Sequence, residues 1–155
     1  MRQKVVLAGL FLLLVFSSLS FKCDGNSTAD SPWRPAAKAA DDMAGGIKTM
    51  IRIKRELAQQ GTITPAEELA LTNQLLRLNT ADKALVNQIK TIKSSADANA
   101  QKPNLCALFA TVTSALGDLN SNGVLPIGNA GAKTQLTTLI NALNASAAII
   151  AIQCQ

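Results

Sequence analysis

The chain has 155 residues, carries 15 Lys and Arg against 10 Asp and Glu, and contains no histidine. Without histidine the usual general base is missing, so the common serine and cysteine triads are excluded, and we expect no enzyme activity and no cofactor. Phenylalanine and tryptophan are scarce and tyrosine is absent, which excludes the aromatic surfaces that stack nucleic-acid bases.

Residues 1–20 have the layout of a secretory signal peptide. Arg2 and Lys4 precede an apolar run over 5–16, and serines follow it. The run is shorter than the roughly 20 apolar residues of a membrane helix, so we predict cleavage after Ser20, an extracellular location and no transmembrane anchor. Cleavage leaves 135 residues with a net charge of +3, which is enough for one domain and too little charge to indicate nucleic-acid binding.

Residues 21–35 mix glycine, asparagine, serine, threonine and prolines, which predicts an extended N-terminal arm. Within it, Asn26 begins an Asn-Ser-Thr triplet and is a predicted N-glycosylation site if the host is a eukaryote. A second such triplet begins at Asn144 inside a predicted helix and is the weaker site. A helical domain is expected to follow over 36–155.

The first helix is predicted over residues 36–60, with weak nucleation. Gly45 and Gly46 each weaken it by about 1 kcal/mol, and Gly61 suits its C-terminal stop. Apolar residues recur every three or four positions and so line one face: Met43, Ile47, Met50 and Leu57.

Three basic residues, Lys48, Arg52 and Arg55, fall on a different face of this helix. Such a set can contact an anionic surface, for example a lipid headgroup layer or a sulfated glycan. A solvated helix face is the more general explanation, because rows of charge on amphipathic helices are common.

The second helix is predicted to begin at 64–67, Thr-Pro-Ala-Glu, where the hydroxyl can cap, proline fits the first position and Glu67 completes a capping box. The helix either extends to about Ala100 or breaks near Asn79, and Pro103 marks its end. Its apolar stripe is interrupted where Asp82 falls in phase, and comprises Leu71, Leu75, Leu78, Leu85, Ile89 and Ile92.

A third helix is predicted over 104–119, followed by a chain reversal beginning in the turn-rich stretch 120–123 and continuing to Gly131. A fourth helix then runs nearly to the C-terminus. Four helices with short connections predict an all-α fold, specifically an antiparallel four-helix bundle after the cleaved signal peptide. From Pro103 onward the only charged residues are Asp118 and Lys133, so this part is either core or faces something other than bulk water.

The chain has three cysteines, which in an exported protein allow one intramolecular disulfide and leave one thiol over. The predicted bundle brings Cys23, Cys106 and Cys154 to one pole. Cys106–Cys154 is the preferred pair because it closes the hairpin of the third and fourth helices, and Cys23–Cys154 is the main rival. In the preferred pairing Cys23 is free or links a homodimer. No metal site is expected, because histidine and CxxC pairs are absent.

Two short motifs resemble sites of chemistry only in part. Glu67 and Glu68 lie at a helix N-terminus, where acidic residues complement the helix dipole, so a structural role is expected rather than a catalytic one. Residues 128–131, Gly-Asn-Ala-Gly, lack the spacing and the preceding strand of a phosphate-binding loop, so a helix-entry loop is expected.

These features predict a secreted, non-enzymatic binding protein that acts through apolar helix surfaces on a lipid, an apolar interface or a partner protein. The nearly uncharged C-terminal third beside a charged N-terminal part motivates this prediction. The alternative is a structural or secreted-fluid component, linked into dimers through Cys23.

Overall fold

The structure of the chain, a computed structural model, describes residues 33–94 and 99–155. Four α-helices occupy this part: α1 (Arg34–Gln59), α2 (Pro65–Ser94), α3 (Lys102–Asp118) and α4 (Ala130–Ala151). Short 3-10 segments lie at Asn99–Gln101 and Ile152–Cys154. Because the described residues contain no strand, the predicted all-α class is confirmed. The predicted signal peptide and the arm up to Pro32 lie outside the described residues.

Each helix packs against two others: α1 against α2 and α4, and α3 against α2 and α4. The apolar positions predicted from spacing on α1 and α2 are buried. On α3, Leu105, Val112 and Leu116 are buried, and Leu108 and Phe109 are half-buried. The buried faces form one core, whose largest fully buried side chains include Met43, Ile47, Met50, Leu71, Leu75, Leu78, Leu85, Ile92, Leu105, Leu116, Leu119 and Ile127.

Helix α1 begins at Arg34, two residues earlier than the sequence predicted. Proline at the first helical turn leaves no hydrogen bond unmade there, and the Ala37 N–H donates to the Trp33 carbonyl at 2.9 Å. Trp33 itself is buried in the core. The last residues of the predicted arm therefore belong to the helical domain.

The turn between α1 and α2 follows the predicted local signals. Gly61 has a φ of +64°, and its N–H donates to the Ala58 carbonyl while the Thr62 N–H donates to Leu57. These two bonds are the pair that ends a helix at a left-handed glycine. The predicted stop at Gly61 is confirmed.

Helix α2 runs without a break through Asn79, so the predicted alternative of a break there is wrong. The α-helix extends to Ser94, and Asn99–Gln101 is a 3-10 segment rather than part of it. The Thr80 hydroxyl donates to the Leu76 carbonyl one turn earlier at 2.9 Å. The hydroxyl is therefore bonded within the helix and does not compete for the backbone groups that form the helical hydrogen bonds.

The prediction of a turn over 120–123 is wrong. Residues Leu119–Val124 continue α3 as a π-helical turn, in which the Leu125 N–H donates to the Asn120 carbonyl at 2.9 Å. A Cβ at the buried Gly123 would lie 3.3 Å from the Leu71 side chain, so this glycine permits close packing rather than a reversal. The non-helical chain before α4 is confined to a few residues near Ile127 and Gly128.

Candidate functional site

Cys106, in the second turn of α3, and Cys154, just after α4, form a disulfide with their Cα atoms 5.5 Å apart. Beside it, the Lys102 ammonium donates to the Gln155 carbonyl at 2.8 Å. The start of α3 and the end of α4 are therefore joined by a covalent bond and a hydrogen bond. The preferred cysteine pair is the one that the structure contains.

Two other predicted sites, Cys23 and the glycosylation site Asn26, lie outside the described residues. The weaker glycosylation site, Asn144, is exposed on α4.

The predicted basic set of α1, Lys48, Arg52 and Arg55, is exposed, as the helical spacing predicted. Arg52 forms an ion pair with Glu56 at 2.7 Å, one turn along the same helix. In the described part of the chain, Lys48 and Arg55 have no carboxylate partner. Their positive charge is therefore only partly compensated on this face.

Glu67 connects the start of α2 to the loop before α4. One of its carboxylate oxygens accepts the Thr64 N–H at 2.6 Å, and the other accepts the Gly128 N–H at 2.7 Å. These backbone hydrogen bonds, first Thr64 and then Gly128, lower the pKa of Glu67. At the same loop, the Asn129 side chain caps α4 by accepting the Ala132 N–H at 3.0 Å. Both motifs therefore have the structural roles that the sequence predicted.

The outward surface of α3 and α4 carries no charge between Pro103 and Gly117 or between Thr134 and Ile152. We call the exposed residues of these two ranges the neutral face. Its most apolar part is the end of α4, where Ile149 is 42% exposed and Ile152 is 63% exposed.

The stretch Ala130–Cys154 is long and apolar enough to cross a membrane by length and composition alone. Only 28% of its most apolar part is buried in the protein. The large aliphatic residues Leu136, Ile140, Leu143 and Ile150 of α4 face the core. What α4 exposes is therefore uncharged and mostly small or polar, with Ile149 as its large exposed aliphatic side chain.

The charges that border the neutral face on α3 are held by other residues. Asp118 lies 3.2 Å from the Arg77 guanidinium of α2, while Lys102 donates to the Gln155 carbonyl. Asp118 and Lys102 therefore both interact with residues that lie outside the neutral face.

A shallow open groove runs between α2 and α3. Its lining includes the small residues Ala81, Ala84 and Ala115 and the larger Leu76 and Leu108. Arg77 is the one ionisable side chain among the described residues that line it.

Asp82 is the one polar residue buried in the described core, at 2% exposure. Its Oδ1 atom has no hydrogen-bond partner. Burial, and in second place the like charge of Asp41 on α1, together raise the pKa of Asp82 to about 6. From the sequence, Asp82 was visible only as an interruption of an apolar stripe.

The described residues contain no group of three or more potential metal ligands. Comparison of the chain with protein-family models, curated proteins and solved structures finds no match.

Proposed function

We propose that this chain is a secreted, non-enzymatic binding protein that uses its neutral face to adsorb to an apolar interface such as a lipid layer. The supporting observation is that the end of α4 exposes Ile149 and Ile152 on a surface without charge. Covering an uncharged surface does not require the desolvation of ions, which costs more free energy than the desolvation of neutral polar groups. Covering the two isoleucines removes apolar area from water, which is favourable by roughly 25 cal/mol per Å².

The proposed arrangement of the helices is the antiparallel, up-and-down bundle. Its support lies in contacts between helix ends that are distant in sequence. The disulfide and the Lys102–Gln155 hydrogen bond join the start of α3 to the end of α4. Glu67, at the start of α2, meets Gly128 just before α4. Such an arrangement leaves one long side of α3 and α4 continuous, which gives the neutral face its extent.

The proposed export depends on residues 1–20. Sequencing the N-terminus of the secreted protein tests it, with Phe21 as the expected first residue. An N-terminal methionine on secreted material would contradict the predicted cleavage, and retention of the protein inside the cell would contradict export.

The adsorption is tested by flotation of the secreted protein with vesicles of zwitterionic phosphatidylcholine. Replacement of both Ile149 and Ile152 with glutamine should weaken the partition about tenfold or more, since each isoleucine contributes on the order of 1 kcal/mol when its exposed area is covered. The matched control is Leu69→Gln on α2, because Leu69 is 62% exposed but lies outside the neutral face. Equal loss with the control, or no vesicle binding by the unaltered protein, would contradict the proposal.

The basic residues of α1 are proposed to add affinity for anionic surfaces. Repeating the flotation with phosphatidylserine in the vesicles should strengthen binding, and Lys48→Gln with Arg55→Gln should remove that gain. Binding that does not respond to the anionic lipid assigns these residues to an ordinary solvated face.

A second candidate is a structural component formed of disulfide-linked dimers. The observation that favours it is that Cys106 and Cys154 pair with each other, so that Cys23 is the remaining cysteine. Electrophoresis without reductant should then show a dimer that Cys23→Ser abolishes. A monomer band alone would eliminate this candidate.

A further inference from the structure

We propose that Asp82 makes the helical domain pH-responsive, so that the fold is more stable in mildly acidic solution than at neutral pH. This inference is independent of the binding proposed for the neutral face. It concerns the buried Asp82 carboxylate in the core and its effect on the free energy of unfolding.

The position of Asp82 is the first support. The residue lies midway along α2, in helical phase with Leu78 and Leu85, both of which are fully buried. An aliphatic side chain would continue this stripe. Asp82 instead has a carboxylate that is 2% exposed, with no hydrogen-bond partner for Oδ1. An ionised carboxylate without compensating partners is costly to bury, whereas its protonated form is far less so.

The charges on the helices packed against α2 do not compensate this carboxylate. On α1, Asp41 is the charge that acts on Asp82, and it repels. Lys38 and Asp42 also belong to this stretch of α1, and both are exposed. On α2 itself, the neighbouring Lys83 is exposed.

The two remaining helices contribute no nearby cation. On α3, Lys102 in the first turn donates to the Gln155 main-chain oxygen and Asp118 at the last position pairs with Arg77, and no charge lies between them. On α4 the only charged residue is Lys133, in the first turn and close enough to Glu67 to act on it. The low charge of the C-terminal third thus has a second consequence, since it leaves Asp82 without a counter-ion on these helices.

The direction of the pH effect follows from proton binding. The pKa of Asp82 is about 6 in the fold against 3.8 for an ordinary aspartate, because of burial first and Asp41 second. Between these values the folded protein holds a proton that the unfolded chain releases. Stability therefore falls as pH rises through this range and levels off above it. Between pH 7.5 and 5, the unfolding equilibrium constant should decrease about tenfold.

The test is urea denaturation of the secreted, oxidised protein, followed by circular dichroism at several pH values from about 7.5 to 5. Wild-type protein should become about tenfold less prone to unfold across this range. Asp82→Asn and Asp82→Leu should both lack this gain. The control Asp42→Asn removes an exposed carboxylate of α1 and should retain it.

A direct titration keeps the proposal testable if both Asp82 variants fail to fold. In wild-type protein, the carboxyl carbon signal of Asp82 should titrate by nuclear magnetic resonance with a midpoint near 6. A midpoint near 4, or a wild-type pH profile that the folded Asp82 variants share, would overturn the proposal.

Discussion

Replacing Gly46 with alanine should destabilise the protein, whereas the same replacement at the adjacent Gly45 should stabilise it. Both glycines lie inside α1, so alanine improves helix propensity by about 1 kcal/mol at either position. A Cβ at Gly45 would meet nothing within 4 Å. The full gain of about 1 kcal/mol is therefore expected there.

At Gly46 the added carbon would lie 2.6 Å from Cδ2 of Leu143 on α4. The usual separation of carbon atoms in contact is about 3.5–4.0 Å, so one group must move by about 1 Å. Leu143 is 2% exposed and has little space to rotate into. Overpacking of this kind costs about 1–3 kcal/mol, so the net effect of Gly46→Ala is a loss of about 0–2 kcal/mol.

The assay is urea denaturation of both variants beside wild type, with thermal melts in support. The propensity gain is common to both variants, so the difference between them, about 1–3 kcal/mol, measures the packing cost alone. Adding Leu143→Ala should cost less in the Gly46→Ala background than in wild type, because the new methyl group fills part of the space vacated by leucine. If Gly46→Ala proves as stabilising as Gly45→Ala, the close approach of α1 and α4 at this point is refuted.

Three further changes test the contacts at the helix ends. Gly61→Ala should reduce the free energy of unfolding by about 1 kcal/mol, because the φ of +64° places a Cβ against the backbone; an unchanged denaturation midpoint would contradict this. Glu67→Gln should diminish the loss of stability on acidification. Because the pKa of Glu67 is lowered in the fold, its ionised carboxylate stabilises the protein above the ordinary pKa of 4.5, and this stabilisation is lost as the pH falls through the folded pKa. If the free energy of unfolding in urea changes with pH in the same way for variant and wild type in this range, the bonds to Thr64 and Gly128 are contradicted. Replacing both Cys106 and Cys154 with serine should cost about 4 kcal/mol, given their separation of 48 residues, and a loss under about 1 kcal/mol would assign the disulfide little part in stability.

The sequence determined the features that depend on a few neighbouring residues. The capping box at Thr64 and Glu67 and the stop at Gly61 are local hydrogen-bond patterns, so the residue types predict them directly. Helical spacing also identified aliphatic residues of α1 and α2 that enter the core, such as Ile47 and Leu75. The preferred cysteine pair followed from one further assumption, that the third and fourth helices form a hairpin.

Only the tertiary structure decided how distant parts of the chain meet. It brings Gly128 to Glu67, 61 residues away, and sets Leu143 against Gly46. It turns the apparent reversal at 120–123 into a π-helical turn, because burying Gly123 against α2 outweighs the local preference of its residues for a turn. Whether Asp82 is buried, or Ile149 exposed, depends on which helix faces pack together. That packing is set by contacts between residues far apart in sequence, which no local pattern records.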